Sequence, residues 1–209
     1  LILYKNTLLM IFWRVVCAVL TATMAGYAFG RLKFPGKNFL FSLVLVQMMI
    51  PAQIFIIPQY LMVSKMGMLN TQFGLVFPGL VTAFGTYLLK TGFEGLPKDL
   101  EEAAMIDGCN PIQTYFQIVM PMLKPTMISV GILEAMWVWN DYLLPTLVLD
   151  IKEYRTIPML IQYFRGGYGR VEMGPMMACI MLTVIPIVIV YILGQKHIIK
   201  GVAAGAVKG

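Results

Sequence analysis

Glu134, Trp137 and Asp141 stand three and four residues apart. At a helical period of 3.6 that spacing lays them on one stripe, with Asn140 beside Asp141 and Pro145 continuing the line. An indole plane next to two carboxylates is a surface suited to a sugar, the ring stacking on C–H faces and the oxygens accepting hydroxyl hydrogen bonds. The other reading open to Glu134 is a pairing with a basic or hydroxyl group on a neighbouring subunit, which would make the stripe an assembly seam. A second set of carboxylates lies in a polar island over residues 91–125, where Glu101 and Glu102 precede Ala103 and Ala104, and Asp107 precedes Gly108. The small alanines let another surface approach closely, and Glu101, Glu102 and Asp107 offer it charge. A plain solvated loop would not require that order of residues.

Enzymatic chemistry fails on inventory. His197 is the one histidine, no serine or cysteine sits in a nucleophile-elbow context, and neither a triad nor a zinc site assembles from local motifs. No Gly-x-x-x-x-Gly-Lys-Ser/Thr run occurs, so any ATP chemistry belongs to another chain. Cys17, Cys109 and Cys179 give no disulfide scaffold.

The elements that must position these residues are membrane spans. Hydrophobic residues make up 59% of the chain and charged ones 12%, against about 25% in soluble domains. Four full spans and one shorter one are expected: Leu8–Gly30, Phe39–Met62, Phe73–Leu89, Thr126–Leu149 and Gly174–Leu193. All should be helical, because a lipid-exposed backbone must satisfy its own hydrogen bonds. Placing residues 91–125 in the cytoplasm sets nine basic residues inside against six outside, a modest positive-inside bias. The net charge of +6 therefore follows from topology, and no basic-aromatic stripe points to nucleic acid.

Local chemistry details the island. Asp99 and Glu102 stand in a capping-box relation for a short helix over 100–106, Gly108 suits the left-handed turn that ends it, and Asn110-Pro111 suits the start of a second helix running towards Val119. The product is a helix-turn-helix knob. Pro51 and Pro58, seven apart, should kink one face of the span over 39–62, with Gln53 and Gln59 bonding the freed carbonyls and the kinked face lining a cavity. Arg14 costs ~2.5–3.5 kcal/mol near the centre of a span, and snorkelling to the outer surface and a structural ion pair are both open to it. Gly26 and Gly30 form a GxxxG pair for close helix packing.

Glu102-Ala103-Ala104, then Gly108, then Ile118-Val119-Met120-Pro121 resembles the EAA loop of binding-protein-dependent ABC importer permeases, with Met120 where that family has leucine. The resemblance covers essentially the whole chain. Arg31-Leu32-Lys33-Phe34-Pro35-Gly36, Met49-Ile50-Pro51 with Ile57-Pro58, Trp139-Asn140-Asp141-Tyr142, and the ending Lys200-Gly201 through Gly205-Ala206-Val207-Lys208-Gly209 are similar to the carbohydrate, maltose-type branch, in its second permease subunit. It implies an all-α polytopic transmembrane bundle with five of six spans present, a further span being expected ahead of Leu1. The chain is then a single transmembrane domain over residues 1–209, with a cytoplasmic coupling loop at 91–125 in which Pro121 closes the motif, and a cytoplasmic tail at 194–209.

The implied activity is import of a sugar or oligosaccharide across a bacterial or archaeal cytoplasmic membrane by alternating access. The implied partners are a homologous second permease, an ABC ATPase dimer that carries the ATP and magnesium, an extracytoplasmic solute-binding protein and membrane lipid. Lys200, Gly201, Gly205 and Lys208 would meet the ATPases, and Pro51, Gln53, Pro58, Glu134, Trp137, Asn140 and Asp141 would border the translocation path. The alternatives are an importer permease for another solute class, or a channel or sensor without an ATPase.

Overall fold

The computed structural model describes residues 2–166 and 173–206, and among these the regular structure is helical, with no strand. α1 runs Ile2–Arg31, α2 Lys37–Met49 and α3 Ile56–Lys65; α4, Gln72–Val76, leads through a 3-10 turn at Phe77–Gly79 into α5, Ala83–Gly95. α6, Asp99–Ile106, and α7, Pro111–Gln113, form the knob, and a π turn at Thr114–Val119 and α8, Met120–Met122, join it to α9, Lys124–Asn140. α10 is Leu143–Val148, α11 Ile157–Gly166 and α12 Met173–Ala206. Among the described residues, α1 and residues Met173–Ile192 are each long and apolar enough to cross a membrane, and counting each of three interrupted helix pairs as one span brings the number to five.

The all-α membrane expectation holds, but the helices break where the sequence reading ran them through. The expected span over 39–62 stops at Met49, and after Pro51 the chain takes a 3-10 turn over Ala52–Phe55 before α3. Proline removes a backbone N–H and pushes the preceding residue out of the helical region, so Pro51 ends the helix instead of kinking it. Pro58 then falls in the first turn of α3, where its missing N–H costs no hydrogen bond. The expected span over 73–89 is likewise split into α4 and α5, each started by a threonine cap: Gly74 N–H donates to Thr71 Oγ1 at 3.1 Å and Gly85 N–H to Thr82 Oγ1 at 3.3 Å.

Another break removes the stripe over 134–145 as one continuous helical surface. α9 ends at Asn140, Asp141 and Tyr142 lie outside any helix, and α10 restarts at Leu143. Pro145 explains the stop, since a helix continued through it would lose a hydrogen bond and set its ring against the carbonyl of residue 141. At the carboxyl end, α12 does not stop at Leu193 but continues to Ala206.

By contacts the described chain falls into two compact units. The first takes the chain up to Cys17, Ile50–Leu80 and Leu133–Leu193, and its core gathers Met10, Val63, Leu75, Val138, Leu144 and Leu149. Asn70, with φ of +57°, ties this unit together: its backbone N–H donates to Val148 at 2.9 Å and its side chain accepts from Asp150 N–H at 2.7 Å. The second takes Ala18–Met49, Val81–Ile132 and the chain from Gly194 onward, around Ala22, Leu89, Phe93, Tyr115, Val119 and Leu123. Here the GxxxG pair does what its spacing predicts. A Cβ on Gly26 would come within 2.9 Å of Leu89 Cβ, and one on Gly30 within 3.0 Å of Phe93 Cβ, so the two glycines let α1 lie directly on α5.

Candidate functional site: the knob and the α9 stripe

The knob is built from backbone chemistry. α6 closes with Gly108 at φ +84°, where Gly108 N–H donates to Met105 O at 3.1 Å and Cys109 N–H to Ala104 O at 2.9 Å, the paired bonds of a Schellman turn. Two residues on, Asn110 and Gln113 form a reciprocal capping box, Gln113 N–H donating to Asn110 Oδ1 and Asn110 N–H to Gln113 Oε1, both at 2.9 Å, with Pro111 at the first helical position. The box expected at Asp99 and Glu102 is absent: α6 starts after Lys98, which makes no side-chain cap, and both carboxylates lie inside its first turn. There they still favour the helix by facing the positive end of its dipole. Past α7 the helix widens into the π turn, directly before Pro121, which has no N–H to return to the preceding turn.

The predicted docking residues do not all face outward. Glu102, Ala103, Asp107 and Gly108 are exposed, Ala104 is buried and Pro121 is half-buried. Glu101 turns inward, its Oε1 lying 2.9 Å from Nε of Arg31 at the end of α1. That N–H is not aligned on the carboxylate, so the contact is a charge pair and not a directed hydrogen bond. The aligned bond from Arg31 is made by Nη2, which donates to Leu96 O at 2.6 Å. Sequence reasoning missed the apolar side of the knob: Ile106 is 86% and Ile112 70% exposed, with Met105 and Phe116 exposed beside them. The signal was there, since isoleucines inside a polar island have no span to enter.

The α9 stripe divides. Glu134 is buried, while Trp137 and Asn140 are exposed. Asn140 Nδ2 donates back to Met136 O at 2.7 Å. Asp141 is held by Arg14, Nη1 to Oδ2 at 3.3 Å, which decides between the two readings of Arg14 in favour of the ion pair. The guanidinium lies against Gly79, where a Cβ would overlap it and come within 2.8 Å of Arg14 Cδ. Pro51, Gln53 and Pro58 are exposed around the break after α2. Of the tail residues, Lys200, Gly201 and Gly205 lie within α12, and Lys208 lies outside the described residues.

Residues 19–204 match a family described as the binding-protein-dependent transport system inner membrane component. A probable starch degradation products transport system permease protein from Thermoanaerobacterium thermosulfurigenes is 36% identical over 98% of this chain and 75% of its own length. A trehalose/maltose transport system permease protein from Thermococcus litoralis is 32% identical over 98% of this chain and 74% of its own. In architecture the chain is similar to a bacterial ABC transporter involved in import of the acidic polysaccharide alginate, with a TM-score of 0.81 at 24% identity over 93% of this chain and 74% of that one.

Proposed function

The chain belongs to the family of binding-protein-dependent transport system inner membrane components, and we propose that within it the chain is a sugar- or oligosaccharide-translocating permease subunit of an ATP-driven importer. It is a transport subunit of the inner membrane and not an enzyme; the ATPase is a separate chain, and a solute-binding protein delivers the cargo. The finer assignments are part of the proposal: a homologous second permease beside this one, a dimeric ATPase holding ATP and magnesium, and a single transmembrane domain whose cytoplasmic knob and tail both reach the ATPases.

The observation that carries the proposal is the knob itself. A Schellman turn and a capping box lock two short helices, in which Ile106 and Ile112 stand 86% and 70% exposed and Glu102 and Asp107 are exposed as well. Exposed isoleucines on a rigid turn suit an apolar cleft in a partner, and the carboxylates suit basic residues at its rim. ATP-driven closure of the ATPases then moves the knob, the spans pivot, and the cavity opens outward and back. Along that path Trp137 and Asn140 present the accessible polar-aromatic surface, with Gln53 and the Pro51–Pro58 break on the neighbouring span. Glu134 and Asp141 stand behind them, the latter fixed by Arg14.

The test is uptake into vesicles holding the chain with its companion permease, ATPase and binding protein, supplied with labelled maltooligosaccharides, arabinooligosaccharides and trehalose. Accumulation of at least one of these, dependent on internal ATP, is the expected result. Flux without ATP, or a purified complex that carries no nucleotide-binding subunit, would establish a channel instead.

A further inference from the structure

The two ends of the knob are not anchored alike. α7 carries a reciprocal capping box, whereas α6 begins without any side-chain cap, after the extended residue Leu96. What holds the start of α6 comes from a distant part of the chain. Arg31 reaches from the last turn of α1 to two consecutive pieces of the junction: Nη2 donates to Leu96 O at 2.6 Å, and Nε meets Glu101 Oε1 at 2.9 Å. Its side chain is 6% exposed, that of Glu101 16%, so the pair is shielded from the salt that weakens surface ion pairs. Lys37, the next cation but one, instead has its Nζ donating to Leu32 O within the turn at 3.1 Å.

The rest of α1's end is shaped for the same purpose. Gly30 lets α1 approach to where a Cβ would lie 3.0 Å from Phe93 Cβ, which brings Arg31 within reach of the α5–α6 junction. One turn earlier, Tyr27 packs on Phe93 at 5.5 Å and on Tyr115 of the π turn at 4.9 Å between ring centroids. The end of α1 therefore grips both arms of the knob, one through charge and one through aromatic contact.

Resting on the importer reading above, we propose that Arg31 is the positioning residue of the coupling knob. By clamping Glu101 and the Leu96 carbonyl it makes α6 move together with α1, so that displacement of the knob reaches a span instead of being absorbed at the Leu96–Lys98 junction. Glu102 meets the partner; Glu101 and Arg31 pass the movement on.

The test uses the whole complex in vesicles with whichever sugar of the panel the wild-type complex imports, and reads ATP hydrolysed per sugar accumulated alongside co-purification of the ATPase. Arg31→Met and Glu101→Gln should leave the ATPase bound and hydrolysing, and raise ATP consumed per sugar about five- to tenfold. The double variant should be within about twofold of Arg31→Met, since that change already removes the contact that Glu101→Gln breaks. Arg31→Lys, which keeps a donor, should recover part of the loss. An unchanged ratio in both single variants, or a double variant equal to the product of the singles, overturns the proposal. Should Arg31→Met fail to accumulate, the near-isosteric Glu101→Gln decides alone. A wild-type complex without ATP-dependent uptake would instead defeat the importer reading, so the two failures are distinct.

Discussion

Replacing Gly108 by asparagine, alanine and valine in turn should uncouple transport in that order. Nothing lies within 4 Å of a Cβ added at this position, so the substitutions introduce no collision and act through the backbone alone. At φ +84° an L side chain crowds the carbonyl that follows it, at a cost of roughly 1–2 kcal/mol, with asparagine penalised less because its short polar side chain bonds locally. β-branching leaves valine the fewest tolerable rotamers and puts it at the upper end. A penalty of about 1–2 kcal/mol shifts the balance between the closed turn and its opened forms by a factor of about 5–30. The turn bonds from Gly108 and Cys109 to Met105 and Ala104 are the ones that yield. ATP-dependent uptake in vesicles is the functional assay, and amide hydrogen exchange over residues 99–122 reports the turn directly. Exchange at Cys109 should accelerate in the order asparagine, alanine, valine, with uptake falling in parallel and membrane insertion unchanged. Equal exchange and equal uptake in all three would refute the reasoning, because the left-handed turn would then not be what holds the knob.

Gly26→Ile should destabilise the packing of α1 on α5 by about 1–3 kcal/mol, since its new Cβ would meet Lys90 N and Leu89 Cβ at 2.9 Å and the backbone there cannot swing aside; a lowered thermal midpoint of the purified complex checks this. Trp137→Ala and Glu134→Gln should each lower the maximal uptake rate while the binding protein keeps its affinity for sugar. Dissociation of the two permeases in Glu134→Gln would instead identify the stripe as an assembly seam. Deleting residues 201–209 should weaken stimulation of the ATPase more than it weakens insertion, and unchanged stimulation would leave the tail a solvated end.

Features that depend on one or two neighbouring residues were legible in advance. Gly108 needed only its lack of a Cβ, Asn110-Pro111 only the standard chemistry of a helix start, and Gly26-Gly30 only its four-residue spacing. The reading failed where two local signals competed. Asp99 and Glu102 have box spacing, but the helix started one residue earlier, at a lysine that cannot cap. Pro51 reads as a kink and Pro145 as one more position on a stripe, each inside a continuous span, when a proline followed by suitable starter residues can as well end one helix and let another begin. Glu101 was assigned to the partner because its own ion-pair partner, Arg31, lies 70 positions away and only folding brings them together. Glu134 and Asp141 shared a face on an ideal helix, and the face ended at Asn140.

The contact between Arg14 and Gly79 has a consequence for descent. Because the guanidinium occupies the volume where any side chain at position 79 would start, position 79 cannot grow while the arginine stays: a larger residue there must first evict it, which strands Asp141. Loss of Arg14 frees position 79 to grow, and because it also leaves Asp141 without its partner, the acid at 141 should be replaced along with it. The three positions form one inherited unit with a preferred order of replacement, 14 before 79, and lineages that abandoned the arginine should be those in which bulk has accumulated at 79.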